Sequence, residues 1–573
     1  MKIDLSKKPF FLEKDDIKWV EETIHSMTIE EKIGQLFIHM SKSRDEDYIK
    51  NICEKYHFGG IRFFGAPAEE IARQNRFYQK YSKTPMFVAC NLENGADSTC
   101  SEGTFVATHA QCGASPTDEA AYEMGRIAAK EASALGCNWD FAPITDIVYN
   151  WRNTIVNPRS FGNNPNLVLE RSRAYIRGVH ESNMLTCAKH FPGDGVEERD
   201  QHLVMAVNDM KCNEWDESFG MVYKQLIEDG LETVMVGHIA LPEYSKKLKG
   251  DISYEEILPA TLSEELVNGL LRKQLGFNGL VVTDASHMAG LLGAMPRKDI
   301  LPKAIAAGCD MFLFLHNLDE DFGFMMDGYK NGIISDERLE EALFRILGMK
   351  ARLGLHKKEQ TFSTENIGCK EHHEIAGKIA DQTITLVKDT QNLLPLNINE
   401  KKRARLYYIE SAPVSYSKGT DPVKNIVKEE LEKAGFSVDL NESLYDMEAK
   451  ETSPMNLVKA MQCLTFEEFR NSYDIVFVFV HMKGYAQENN VRVKFSSGHS
   501  NEIPWWIKEV PTVCVSLNFT NHLYDLPMMK TFINAYSPTR ESIKSTIDKI
   551  LGKSPFEGIP NENVWCDRWD TRI

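Results

Sequence analysis

A chain of 573 residues exceeds one ordinary hydrophobic core, and 42% hydrophobic with 26% charged residues is the make-up of soluble domains; a single small module and global disorder are both excluded. Asp and Glu outnumber Lys and Arg by 83 to 66, a formal charge of -17, which excludes a protein whose main task is gripping a nucleic-acid backbone. The N-terminal stretch MKIDLSKKPFFLEKDDIKWVEE lacks the apolar run of a signal peptide, and no segment approaches the roughly 20 apolar residues of a membrane span, so a cytoplasmic protein without a membrane partner is expected.

From residue 28 to about residue 315, short apolar runs rich in β-branched and aromatic residues alternate with longer helical patterns. The runs at 35–40, 60–64, 87–91, 138–144, 187–191, 233–239, 279–284 and 310–315 are candidate strands. Repeated βα units of that number, all of parallel type, predict a (β/α)8 TIM barrel better than an open doubly wound sheet. A helical pattern over 336–355, with Leu339, Leu343, Ile346, Leu347 and Leu353 on one face, closes this unit. Residues 1–356 are therefore read as the catalytic barrel, 357–372 as a polar linker, and 373–573 as a second α/β domain of the sandwich type. Within the latter, 376–388 reads as a helix-to-strand transition, 423–433 as an amphipathic helix, and 405–409, 475–480, 512–517 and 531–536 as strands.

The twelve cysteines are scattered, many inside apolar runs (Cys90, Cys137, Cys187, Cys309, Cys514), without CxxC pairs. They read as buried free thiols, and no metal or organic cofactor is expected.

In a barrel the active site lies beyond the carboxyl ends of the strands. The residues there are Asn91 to Gly95, Asp146, Lys189 to Asp194, His238 and Asp284, a set rich in ionisable and hydrogen-bonding side chains. Lys189-His190-Phe191-Pro192-Gly193-Asp194-Gly195 ends one strand in a Pro-Gly turn that exposes what it carries. Asp200 and His202 follow, two residues apart, so that in extended backbone the carboxylate can hold the ring and leave its second nitrogen to exchange a proton. Asp284 follows the apolar run Gly279 to Thr283 without a break; a rigid, partly desolvated carboxylate there suits a nucleophile, and a helix N-cap is the competing role.

Together with TIEEKIGQLF, FAPITDI, Arg159-Ser160-Phe161-Gly162, VMVGHI, AIAAGCDMFL and TLVKDTQNLLPL, the combination of AKHFPGDG, a downstream D-x-H and VVTDASHM resembles glycoside hydrolase family 3, in its bacterial β-N-acetylhexosaminidase branch, over nearly the whole chain. The resemblance implies a barrel bearing the active site and an α/β sandwich after it, with Asp284 as nucleophile and His202, held by Asp200, as general acid/base. It also implies that Lys189, His190 and Arg159 hold sugar hydroxyls; Asn91, Glu93 and His238 are grouped with them as substrate-binding residues. The β-glucosidases of the family take their acid/base from a Glu of the second domain. Glutamates such as Glu488 occur there, but the D-x-H element argues for the barrel placement.

The second strand end departs from the family's D-Q-E-G-G, reading Asn91-Leu92-Glu93-Asn94-Gly95, and a family Arg has become Thr99. Asn91 keeps a carbonyl acceptor but loses the charge that strengthens a bond to a sugar hydroxyl. The aromatics of Tyr149-Asn150-Trp151 could stack on a sugar face, with core packing as the fate of at least one.

The expected function is that of a retaining exo-β-N-acetylhexosaminidase removing terminal β-linked N-acetylglucosamine from small glycans or cell-wall fragments. An imidazole acid/base does not repel an anionic acceptor, so a β-N-acetylglucosaminide phosphorylase using the same dyad is the nearest alternative. A β-glycosidase of altered glycone preference and a catalytically weak sugar-binding protein are the others. The second domain could complete the mouth, form a homodimer contact or shield the barrel's edge.

Overall fold

The computed structural model describes residues 3–250, 252–357, 361–413, 420–484 and 491–573. These form two compact units, the first of residues 1–106, 121–149 and 160–372, the second of 107–120, 150–159 and 373–573. Two short insertions, 107–120 and 150–159, thus leave the first unit's sequence and pack with the second. No helix among the described residues is long and apolar enough to cross a membrane.

The first unit is the expected barrel. Its strands, in chain order, are Ile38–Met40, Gly60–Arg62, Phe87–Cys90, Trp139–Asp140, Cys187–Phe191, Thr233–Val236 and Leu280–Thr283. Each of the first three pairs in parallel with the next, and likewise Cys187–Phe191 with Thr233–Val236 and Thr233–Val236 with Leu280–Thr283. Parallel bridges Trp139↔Leu185 and Ile144↔Lys189 join the fourth strand to the fifth. The eighth run, expected at 310–315, is present as bridges: Met311 pairs with Val282, and Phe312 with Phe37, which closes the ring. Almost every strand residue is buried, as parallel strands covered on both faces must be, and this is why they read as continuous apolar runs.

Beneath the ring, Asp310 is fully buried and accepts bonds from Arg272 (2.7 Å), Arg338, Arg345 (3.4 Å) and the backbone N–H of Val281 (2.8 Å). One carboxylate ties two helical segments to the start of a strand. The helix expected over 336–355 is Asp336–Arg352, capped by Ser335, whose hydroxyl accepts from the N–H of Arg338.

The second unit holds a six-stranded sheet in the order Thr385–Asp389, Thr531–Asn534, Thr512–Ser516, Ile475–His481, Arg403–Glu410, Ser437–Leu440. Its strands are parallel except Thr385–Asp389. Alternate residues of Arg403–Glu410 and Ile475–His481 enter two separate apolar layers, with Leu406, Phe477 and Phe479 on one face and Tyr407, Val476 and Val478 on the other. Both faces are therefore covered, the sandwich expected. Ser437–Leu440 lies at the sheet's edge, half of it exposed, and lacks the apolar run that would have marked it. The amphipathic helix spans Val423–Lys433 as expected.

All twelve cysteines are free thiols, and Cys90, Cys137, Cys187, Cys309 and Cys514 are buried.

Candidate active site

Asp284 stands one residue beyond the seventh strand, its N–H bonded to the carbonyl of Val236 on the strand beside it (2.9 Å). The competing N-cap role is not what the structure shows. The next helix begins at Ala289, with Met288 at its N-cap, and Asp284 Oδ1 instead accepts the N–H of Ala285 (2.7 Å). Its other oxygen lies 3.8 Å from His190 Nε2. Burial alone would raise this carboxyl, but the imidazoles of His190 and His238, the Ala285 N–H and His202 outweigh it and hold it at about 2. The group is an anion throughout the ordinary pH range, desolvated and aimed, as a nucleophile requires.

His190 is fixed from behind by Asp146. One oxygen of that fully buried carboxylate accepts the ring Nδ1 (2.7 Å), and the other accepts the backbone N–H of His190 (3.0 Å) and of Asp194 (2.8 Å). Nε2 is left to face Asp284. The Pro-Gly turn that follows depends on Gly193, at φ +122°, where a Cβ would sit 2.2 Å from the ring of Phe219. Lys189, on the same strand, is buried and pairs with Glu93 at 2.7 Å, which joins the fifth strand to the loop after the third.

Asp200 and His202 do meet, although not in extended backbone. The N–H of Leu203 bonds the carbonyl of Asp200 (2.9 Å), making a turn, and within it the single oxygen Oδ1 accepts both the backbone N–H of His202 (2.8 Å) and its ring Nδ1 (2.7 Å). Asp200 is fully buried while the His202 side chain is 21% exposed, so only the ring reaches solvent. The turn docks on the nucleophile's own loop through Ala289 N–H to the His202 carbonyl (2.9 Å) and Gly290 N–H to the Gln201 carbonyl (3.2 Å). Exposed His287 lies in that loop, between the two.

His238 has a different place from the one expected. It is fully buried, Nε2 bonds the Ala285 carbonyl (3.0 Å), and Nδ1 pairs with Thr261 Oγ1 (2.8 Å). Burial lowers its basicity, with Asp284 and the Ala285 carbonyl opposing, and both ring nitrogens are engaged, so none is left for a sugar hydroxyl. It holds the turn after Asp284. Gln201 completes the support, accepting the His238 N–H (2.9 Å) and donating to Asp194 (3.3 Å).

Asn91 is half-buried at the end of the third strand, where its backbone carbonyl accepts from the Ser98 hydroxyl. Thr99 is buried and faces the interior. Arg159 belongs to the second unit, where it donates to the Ile155 carbonyl (3.4 Å). Of the two aromatics, Trp151 is core of the second unit, against Tyr524 at 4.6 Å, while Tyr149 packs edge-on to Phe219 in the first. Glu488 lies outside the described residues.

The barrel mouth therefore gathers Asp284, His190, Lys189, Glu93, Asp200 and His202. Sequence reasoning named these but assigned no role to Asp146, Asp194 or Gln201; the strand-end position of Asp146 was the one signal for it.

A closed (β/α)8 barrel with a carboxylate after the seventh strand and a His-Asp dyad beside it is an arrangement suited to chemistry on a glycosidic bond. Residues 28–349 match the glycosyl hydrolase family 3 N-terminal domain, and the chain belongs to glycoside hydrolase family 3. It is 36% identical over the full length of both chains to a β-N-acetylglucosaminidase/β-glucosidase of Cellulomonas fimi. Among solved structures, it is similar to a β-glucoside phosphorylase BglX (TM-score 0.91, 35% identity, 99% of each chain). It also shares the fold of a family 3 β-N-acetylglucosaminidase from Paenibacillus sp. str. FPU-7 (TM-score 0.77, 23% identity, 93% of this chain and 98% of that one).

Proposed function

We propose that this family 3 enzyme is a retaining β-glycoside phosphorylase acting on terminal β-linked glucose or N-acetylglucosamine. In the first step an Asp284 oxygen attacks the anomeric carbon, the bond to the aglycone oxygen breaks, and His202 Nε2 gives that oxygen its proton. In the second a phosphate oxygen attacks the same carbon, the bond to Asp284 breaks, and any proton on the attacking oxygen passes to His202. Two inversions leave a sugar 1-phosphate of retained configuration.

The observation that carries this reading is the dyad. Its carboxylate is buried and spent on His202, so the group that meets the acceptor is an imidazole, which does not repel a phosphate as a second carboxylate would. Sequence analysis put hydrolysis first; likeness to a phosphorylase over 99% of both chains favours the other order. Hydrolysis of β-N-acetylglucosaminides is the second reading, favoured by the Cellulomonas fimi relative.

The test is release of p-nitrophenol from the β-N-acetylglucosaminide, N-acetylgalactosaminide, glucoside and xyloside with and without phosphate, with Asp284→Ala and His202→Ala as controls. Phosphate stimulation with a sugar 1-phosphate product supports the proposal. Equal rates without phosphate, giving free sugar, would establish the hydrolase instead.

A further inference from the structure

Behind the mouth, Asp140 at the end of the fourth strand is fully buried, and the mechanism above makes no use of it. Its Oδ1 accepts the N–H of Leu92 (3.0 Å), and its Oδ2 is 2.7 Å from the hydroxyl of Tyr175, on the helix Pro165–His180. The same hydroxyl is 3.0 Å from the carbonyl of Leu92. Both backbone groups of Leu92 are thus held by one buried pair, and Leu92 sits between Asn91 and Glu93.

Tyr175 has one proton and two acceptors in reach, so the trio has two hydrogen-bond arrangements. With Asp140 ionised, the hydroxyl donates to the carboxylate, and the Leu92 carbonyl goes without that donor. With Asp140 protonated, the acid donates to the Tyr175 oxygen, and the hydroxyl turns to the Leu92 carbonyl. Only the second arrangement grips the loop at both ends.

We propose that Asp140 and Tyr175 are positioning residues, a proton-dependent clamp that sets the Asn91–Glu93 loop and through it the binding of the glycone. Burial pushes the Asp140 carboxyl up to about 7, while Tyr175 and the Leu92 N–H pull the other way without prevailing. The charged and titratable groups around it are Lys189 and Glu93, paired with each other, Tyr175, and the buried thiols Cys90 and Cys187. Arg62 and Cys137 lie beyond Cys90, and the pull of Lys189, which is committed to Glu93, does not outweigh the burial of Asp140. The clamp changes hands near neutral pH, and the loop is best held below it.

The inference rests on the reading of this mouth as the glycone site, and its test keeps the two apart. The readout is the inhibition constant of glucose and of N-acetylglucosamine against aryl-glycoside turnover, from pH 5.5 to 8.5, for the wild type, Asp140→Asn and Tyr175→Phe. Asn supplies an acceptor for Leu92 and a donor for Tyr175, which imitates the protonated clamp; Phe keeps the ring's packing and removes the hydroxyl. One hydrogen bond corresponds to roughly a three- to tenfold change. The wild-type constant is expected to rise by that factor across pH 7, Asp140→Asn to remain at the low value throughout, and Tyr175→Phe to remain at the high one, with kcat changed less than the constant in both. The rest of the mouth is common to all three proteins, so its contribution cancels in the comparison. A wild-type transition retained in Asp140→Asn, no transition in the wild type, or a Tyr175→Phe constant equal to the low-pH wild-type value would overturn the clamp. Turnover without inhibition by either sugar at any pH would overturn the glycone-site reading and the clamp with it, a distinct result.

Discussion

Asp200→Asn preserves the volume of a fully buried side chain and removes only its charge. The carboxylate's Oδ1 is 2.7 Å from His202 Nδ1, and at roughly 4 Å between charge centres an effective dielectric near 20 gives an attraction of about 4 kcal/mol for the imidazolium. The His202 side chain is 21% exposed, and solvent screening on that side reduces the figure to about 2 kcal/mol, or ~30-fold in rate. In the proposed mechanism the imidazolium forms when His202 takes a proton from the acceptor and is spent when it gives one to the leaving group. The deficit therefore belongs to substrates that need the proton. The assay is kcat/KM for aryl β-glycosides of increasing leaving-group basicity. Phenyl and alkyl glycosides are expected to lose about 30-fold, whereas 2,4-dinitrophenyl glycosides, whose leaving group departs unprotonated, lose little in this first-step parameter. An equal loss for every leaving group would mean that Asp200 merely closes the turn. No loss for the poor leaving groups would mean that the dyad is not the acid.

Asp284→Ala is expected to abolish turnover, by on the order of 10^4-fold or more, with the thermal unfolding transition retained, since the lost group is the proposed nucleophile and the seventh strand keeps its pairing. The acid side of the pH profile gives an independent check. The folded carboxyl of Asp284 is held at about 2, below the ordinary 3.8, so it stays ionised as the pH falls through 4 and protonates only near 2. First-step kcat/KM on an activated aryl glycoside is thus expected to show no limb near pH 4, unless unfolding, followed by circular dichroism, intervenes. Asp310→Asn leaves three guanidinium groups around a neutral amide and is expected to lower stability by about 3–5 kcal/mol in denaturant unfolding. A change below about 1 kcal/mol would show that the cluster is not what ties the barrel's base.

The barrel was legible because its strands are buried on both faces, and an uninterrupted run such as Leu280–Thr283 has no other economical reading. The edge strand Ser437–Leu440 was not, because one of its sides faces solvent and half its residues are polar. Part of the candidate site was legible for a related reason: Asp284, Lys189 and His190 are at the ends of strands, and strand ends converge. Their supports were not. Asp146 reaches His190 across 44 residues and Asp140 reaches Leu92 across 48, distances over which spacing carries no signal. His238 was placed with the sugar contacts because a strand-end histidine can face the mouth, but its ring turns inward to Thr261 and Ala285. Arg159 is the last residue of an insertion, 150–159, that packs with the second unit, and no composition shift in the sequence announces that departure.

The supports divide the mouth into two assemblies. Gln201, His238 and the backbone bonds at Ala289 and Gly290 lock the turn of Asp284 to the turn of His202, so the spacing of these two residues is set by contacts within the barrel. The loop of Asn91 and Glu93 is held separately, by Asp140, Tyr175 and the Lys189 pair. Specificity follows from which polar groups a bound sugar satisfies, and rate from the placement of groups that act in the transition state. With these on different supports, the change from a charged side chain to Asn91 can alter the glycone that is accepted without displacing Asp284 or His202. A sugar-binding protein that had lost its chemistry would have no need for the first assembly. Here that assembly is complete, and a buried carboxylate is committed to each of His190 and His202, both close enough to Asp284 to act on its charge.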